Sequence, residues 1–181
     1  MDEIEITSYD PAWPTMFEGE RRRLHSLLPA SLLMRVEHIG STAVPGLAAK
    51  PVIDLMVLVS SLETARAVAV APLEAGGYAW WADNPDPERL FFVRGLPPSA
   101  PHRTHHLHLT ESPIILRRHL AFRDALRANA LEREHYAALK RALAGLHGNN
   151  REAYTRAKAA HIEAMLVRAG LSPSAGRGPS S

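Results

Sequence analysis

A Gly-Ser pair at positions 40 and 41, a lone aspartate at 54 in an otherwise apolar run, and two alternating histidines at 106 and 108 are the residues whose types and spacing could do chemistry. Gly40 has no Cβ, so the backbone can bend sharply there and bring a phosphate against its own amides, while the Ser41 and Thr42 hydroxyls add polar contacts at the same point. Asp54 follows within PVIDLMVLV. A hard cation such as Mg²⁺ takes carboxylate and phosphate oxygens together, so a single carboxylate facing a phosphate-binding turn is a sensible metal anchor. In RTHHLHLT, residues 103–110, His106 and His108 share one strand face. Two imidazoles at that spacing can reach one cation or one phosphate, and either can act as a general base near neutral pH. Each feature also has a plain structural reading: Gly-Ser turns precede strands in many folds, and a polar strand face can simply be hydrogen-bonded.

Cations for an anionic ligand are available at Lys50, Arg103, Arg123, Lys140 and Lys158. An arginine fork or a lysine point charge suits phosphate, and a solvated loop or helix face is the competing role for each.

The elements that must position these groups are legible in outline. Apolar spacing predicts a helix over about 14–28, with Trp13 packed ahead of it and Arg21, Arg22 and Arg23 on a solvated face. A short strand over 33–39, the Gly-Ser turn and a strand over 52–59 follow. The second strand is apolar on both faces, as a central strand covered by helices requires. Ser60-Ser61-Leu62-Glu63 has the form of a capping box opening a helix that Gly76-Gly77 ends. Two strands, 78–81 and 90–94, read as a hairpin in which Trp80 and Trp81 point to opposite faces. From Ser112-Pro113 the pattern is helical: one helix opens there, a second covers about 131–143 with Gly145 and Gly148 in the break, and Asn149 or Asn150 caps a third ending near Gly170. The Gly-, Pro- and Ser-rich tail, 172–181, reads as disordered, leaving 1–171 as one domain.

Composition narrows the classes. With 181 residues the chain can bury a core without staples, and with no cysteine it has no disulfide, zinc-thiolate or thiol nucleophile. A net charge of +2 and few, scattered aromatics do not match a nucleic-acid binder. Without a long apolar run, no membrane partner is expected, and the simplest placement is cytoplasmic. The oligomeric state is not legible.

Taken together, EHIGSTAVPGLAAKPVIDLMV, the Arg-x-x-His-Leu-His-Leu of 103–109, Phe122-Arg123-Asp124, Tyr136-x-x-Leu-Lys140 and Tyr154-x-x-x-Lys158 closely resemble the GrpB family, also called UPF0157. The resemblance implies an α+β, nucleotidyltransferase-like fold: a mixed sheet flanked by helices, with a C-terminal helical bundle. It also implies a nucleotide context, since GrpB-like domains occur fused behind dephospho-coenzyme A kinase. The wider superfamily places two carboxylates on one strand to clamp two metals. Here Gly40-Ser41 and Asp54 match, but Met56 stands at the second carboxylate position, and a soft, uncharged thioether cannot replace a carboxylate for Mg²⁺. His106 and His108, with Glu37 or His38, are the groups expected to complete the site, in a set that suits Mn²⁺ or Zn²⁺ better than Mg²⁺.

Three readings follow. The first is a nucleotidyltransferase-fold protein that binds a nucleoside triphosphate or phosphorylated metabolite with a divalent metal and transfers a nucleotidyl group, with Asp54, His106 and His108 catalytic. The second is a non-catalytic ligand-binding or partner-stabilising module, which Met56 favours. The third is a metal-dependent phosphohydrolase.

Overall fold

Strand β2 (Ile53–Val59) has two apolar faces, and both are covered. The computed structural model describes residues 5–98, 100–147 and 150–171; the tail expected to be disordered lies outside the described residues. Ile53, Leu55, Val57 and Val59 face a core built with α1 (Trp13–Leu27) and α2 (Leu62–Ala75). Met56, from the opposite face, packs with Ile39 and Leu116 under α3 (Pro113–Ala128). Helices α4 (Ala130–His147) and α5 (Arg151–Arg168) pack against α3 and enclose a second core of Val44, Leu47, Phe122, Leu126, Tyr136 and Met165.

With β1 (Leu33–Ile39), β3 (Tyr78–Trp80), β4 (Leu90–Arg94) and β5 (His105–Thr110), the strands form one mixed sheet in the order β1-β2-β5-β4-β3. Only β2 and β5 run parallel. A parallel pair needs a long crossover, and here it runs through α2 and the β3–β4 hairpin. That pairing sets Asp54 opposite His106 and Met56 opposite His108.

Local rules account for most of the helices. Trp13, Phe17, Glu20 and Leu24 recur at helical spacing and make the buried stripe of α1. Side chains of Ser61, Ser112 and Asn150 accept from Thr64, Ile115 and Ala153 amides as N-caps. Helix α4 continues through Gly145 to His147, beyond the expected end. An interior glycine costs only ~1 kcal/mol against alanine, too little to stop a helix packed along α5. Trp80 is half-buried under the Arg66 guanidinium, whereas Trp81 is exposed and meets Phe91 edge-on.

One polar group ties the α1 layer to the hairpin. Glu20, 4% exposed, accepts from the Tyr78 hydroxyl at 2.8 Å and from Arg94 Nη1 at 2.6 Å, with Arg23 Nε at 3.7 Å. Arg23 also donates to the Gly76 carbonyl, so it is not part of a purely solvated face. Glu20→Ala removes the acceptor for two buried or half-buried donors, and the expected cost is about 3 kcal/mol, measurable by urea denaturation. A cost below about 1 kcal/mol would mean that the group behaves as a surface pair.

Candidate anion site around Asp54

At the end of β1 the chain turns at Gly40, with φ 71° and ψ −170°, a conformation open essentially to glycine alone. Space imposes the same choice: a Cβ on Gly40 would lie 2.5 Å from Asp54 Oδ2. The turn is therefore closed directly over one oxygen of the carboxylate. The other, Oδ1, is 3.0 Å from His106 Nδ1. Burial alone would raise the Asp54 carboxyl. The His106 hydrogen bond holds it below its ordinary value, with the Lys50 ammonium acting in the same direction. An ionised carboxylate only accepts, so Nδ1 donates, which leaves Nε2 as the other ring nitrogen of His106. That nitrogen is buried without a hydrogen-bond partner. The Asp54 side chain remains 28% exposed, so the site is open to a small molecule.

The turn is braced from behind. Thr42 is buried, donates to the Val52 carbonyl and meets His38 Nε2 at 3.0 Å. His38 stacks on Phe17 with ring centroids 4.8 Å apart, and burial holds its imidazole down at about 4. Arg123 binds Glu37, Asp124 and the His38 carbonyl, and Arg127 makes two bonds to the Ala43 carbonyl. Thr42 and Arg123 thereby also position the turn, and Glu37 is held by Arg35 as well as Arg123. Arg103 sits half-buried on the loop before β5.

All three lysines of the chain, set against eighteen arginines, gather at this turn. Lys140 is 2% exposed on α4, donates to the Ala48 carbonyl and lies 5.0 Å from the Tyr136 ring centroid. Lys158 of α5 lies 4.2 Å from the Tyr154 ring, with Lys50 5.9 Å from that same ring. Burial, then the charges of Lys158 and Arg141, lowers the Lys140 amine to about 7. Burial also lowers Lys158, with Asp54 opposing that shift. Tyr136 hydrogen-bonds the Ser41 side chain, and burial raises both its phenol and that of Tyr154, the latter to about 12.

Two tyrosines thus form the walls of the site, which residue chemistry alone did not assign. The signal was present: Tyr136-x-x-x-Lys140 and Tyr154-x-x-x-Lys158 repeat one spacing on consecutive helices, and i, i+4 places each pair on one helix face. Lysine, unlike arginine, can lose its proton when buried, and burial shifts Lys140 and Lys158 in that direction.

The donors do not fit the expected metal centre. His106 gives Nδ1 to Asp54, and the His108 ring packs 4.7 Å from Phe91, where burial and then Arg89 hold it neutral well below its ordinary range. Among the described residues no group of three or more His, Cys, Asp or Glu side chains is arranged to hold a metal ion. Asp54, His106 and His108 therefore share a strand face without forming a ligand set.

Comparison with known proteins extends these observations. The chain is 44% identical over 169 residues to the UPF0157 protein PA4798 of Pseudomonas aeruginosa, covering 93% of this chain and 68% of that protein. The crystal structure of the conserved protein GrpB from Enterococcus faecalis superposes with a TM-score of 0.80 at 35% identity, covering 91% of this chain and 96% of that one. A 78-residue stretch is 40% identical to part of a dephospho-CoA kinase from Mycolicibacterium paratuberculosis, covering 41% of this chain and 19% of the kinase. Residues 3–168 match the model of the GrpB protein family, and the chain belongs to that family.

Proposed function

We propose that this GrpB protein binds a phosphorylated small molecule of the nucleotide class at the Gly40-Ser41 turn, on a nucleotidyltransferase-like fold. The observation that carries this reading is the convergence of Lys50, Lys140 and Lys158 on a site with one carboxylate, an excess of positive charge that an anionic ligand neutralises. The turn amides and the Ser41 hydroxyl supply further phosphate contacts. Similarity to part of a dephospho-CoA kinase supports a nucleotide-like ligand.

Binding rather than nucleotidyl transfer is the function this geometry favours. Transfer by two metals needs a second carboxylate, and Met56 occupies that strand position as a fully buried core residue. Incubation with ribonucleoside triphosphates, candidate acceptors and Mg²⁺ or Mn²⁺ is expected to release no pyrophosphate; release lost in His106→Ala would restore the transfer reading. Calorimetry with ATP and ADP tests binding itself. Lys158→Gln is expected to weaken affinity about tenfold or more, since charge-assisted phosphate bonds contribute roughly 1.5–3 kcal/mol each. Unchanged affinity would place the ligand elsewhere.

A further inference from the structure

We propose that the site takes its ligand as a metal-free nucleoside di- or triphosphate, the three lysines supplying the positive charge that divalent cations supply in a two-carboxylate site. This inference rests on the phosphate-site reading above and adds to it the charge state of the ligand.

Four features of the donor set carry it. Asp54 is the one carboxylate facing the turn and is already partly engaged: Oδ1 is bonded to His106 Nδ1 at 3.0 Å, and the Gly40 backbone closes over Oδ2, where a Cβ would stand 2.5 Å away. The second carboxylate is structurally displaced, because Met56 is fully buried and packed with Ile39 and Leu116. Glu37, the residue paired with Met56 across the strands, is held by Arg35 at 2.7 Å and Arg123 at 2.9 Å. Finally, amines gather beside the carboxylate: Lys50 and Lys158 lie 5.9 and 4.2 Å from the Tyr154 ring centroid, and Lys140 lies 5.0 Å from that of Tyr136.

A hard divalent ion seeks several anionic oxygens in a small octahedral shell. Here it would meet one engaged carboxylate and be repelled by neighbouring ammonium groups. A polyphosphate meets the reverse situation. Its successive anionic oxygens can distribute over ammonium groups on three separate elements, the loop before β2, α4 and α5, with the turn amides and Ser41 completing the contacts. A single phosphate has fewer charges to distribute, so di- and triphosphates are preferred to monophosphates. In solution Mg²⁺ competes by complexing the same oxygens.

The test is titration calorimetry of the full chain with ADP and with inorganic pyrophosphate, each in EDTA and in excess Mg²⁺. The expected result is saturable binding in EDTA, weakened several-fold by Mg²⁺, with Lys50→Gln and Lys158→Gln each lowering the metal-free affinity about tenfold or more. Circular dichroism and urea unfolding confirm that both half-buried positions tolerate the change. Binding that requires Mg²⁺ or Mn²⁺ would overturn the inference while leaving the phosphate-site reading standing. Metal-free binding undiminished in both lysine variants would overturn it as well. No binding of either probe under either condition would remove the phosphate-site reading and this inference with it.

Discussion

Lys140→Met is expected to stabilise the ligand-free protein by about 2 kcal/mol at pH 7 while weakening phosphate binding about tenfold or more. The amine is 2% exposed, and burial first, then Lys158 and Arg141, brings it from 10.5 to about 7. At ~1.4 kcal/mol per pH unit, holding the charged form in that place costs on the order of 5 kcal/mol. The variant escapes this cost but leaves the buried Ala48 carbonyl without its donor, a loss of roughly 1–3 kcal/mol.

The sign of the pH effect follows directly. Between about 7 and 10.5 the unfolded chain keeps the Lys140 proton while the folded chain has released it, so stability rises with pH across that window. The Lys140 contribution is fully unfavourable below about 7 and is relieved toward 10.5. Urea unfolding at pH 7 and 9 should show this rise in the native protein and a flatter profile in Lys140→Met. A variant less stable than the native protein at pH 7, or one with the native slope, would contradict the charge-cost account. Ligand binding should recharge the amine, so calorimetry near pH 8 in buffers of different ionisation enthalpy should show net proton uptake. The trade is stability against function at one side chain.

Gly40→Ala should cost about 3–5 kcal/mol and remove binding, for two separable reasons. A residue with a Cβ at φ 71° and ψ −170° carries ~1–3 kcal/mol of backbone strain. Its Cβ would also stand 2.5 Å from Asp54 Oδ2, displacing the carboxylate and breaking its bond to His106, worth ~1.5–3 kcal/mol when one partner is charged. A double-mutant cycle with Asp54→Ala separates the two. Alanine at position 54 removes the obstructing oxygen, so the steric part should vanish while the backbone part persists. Strict additivity of the two changes, measured by chemical denaturation, would show that the turn and the carboxylate do not meet as described.

The bracing of this turn gives Thr42 and Arg123 structural partners that residue type does not announce. A hydroxyl beside a Gly-Ser pair and an arginine on a nearby helix both have the chemistry of phosphate contacts. Their actual partners, Val52, His38, Glu37 and Asp124, satisfy them inside the protein. Which donor faces a ligand and which holds a backbone depends on packing that residue type does not encode. His108 shows the same limit on a strand: period two put it on the face of His106, and tertiary packing sets its ring 4.7 Å from that of Phe91 and holds its imidazole well below its ordinary range.

By itself the sequence determined the local part of this protein. The cap at Ser112, the spacing of Phe17 and Leu24, and the turn at Gly40 follow from rules that act within a few residues, whereas the cap of α2 falls on Ser61, one residue past the first serine of the Ser-x-x-Glu pattern, and α1 begins at Trp13 itself. The departure at Met56 was equally plain, because a thioether differs from a carboxylate wherever it lies. Only the tertiary structure decided that β5, not β3, lies parallel to β2 and brings His106 to Asp54, and that α4 and α5 return over the sheet with Lys140 and Lys158. Strand partners and helix docking are fixed by long-range burial of apolar faces, whereas local periodicity reports only which face a side chain occupies. Residue type offers Lys50, Lys140 and Lys158 as anion contacts or solvated charges alike, and their common destination is a property of that packing.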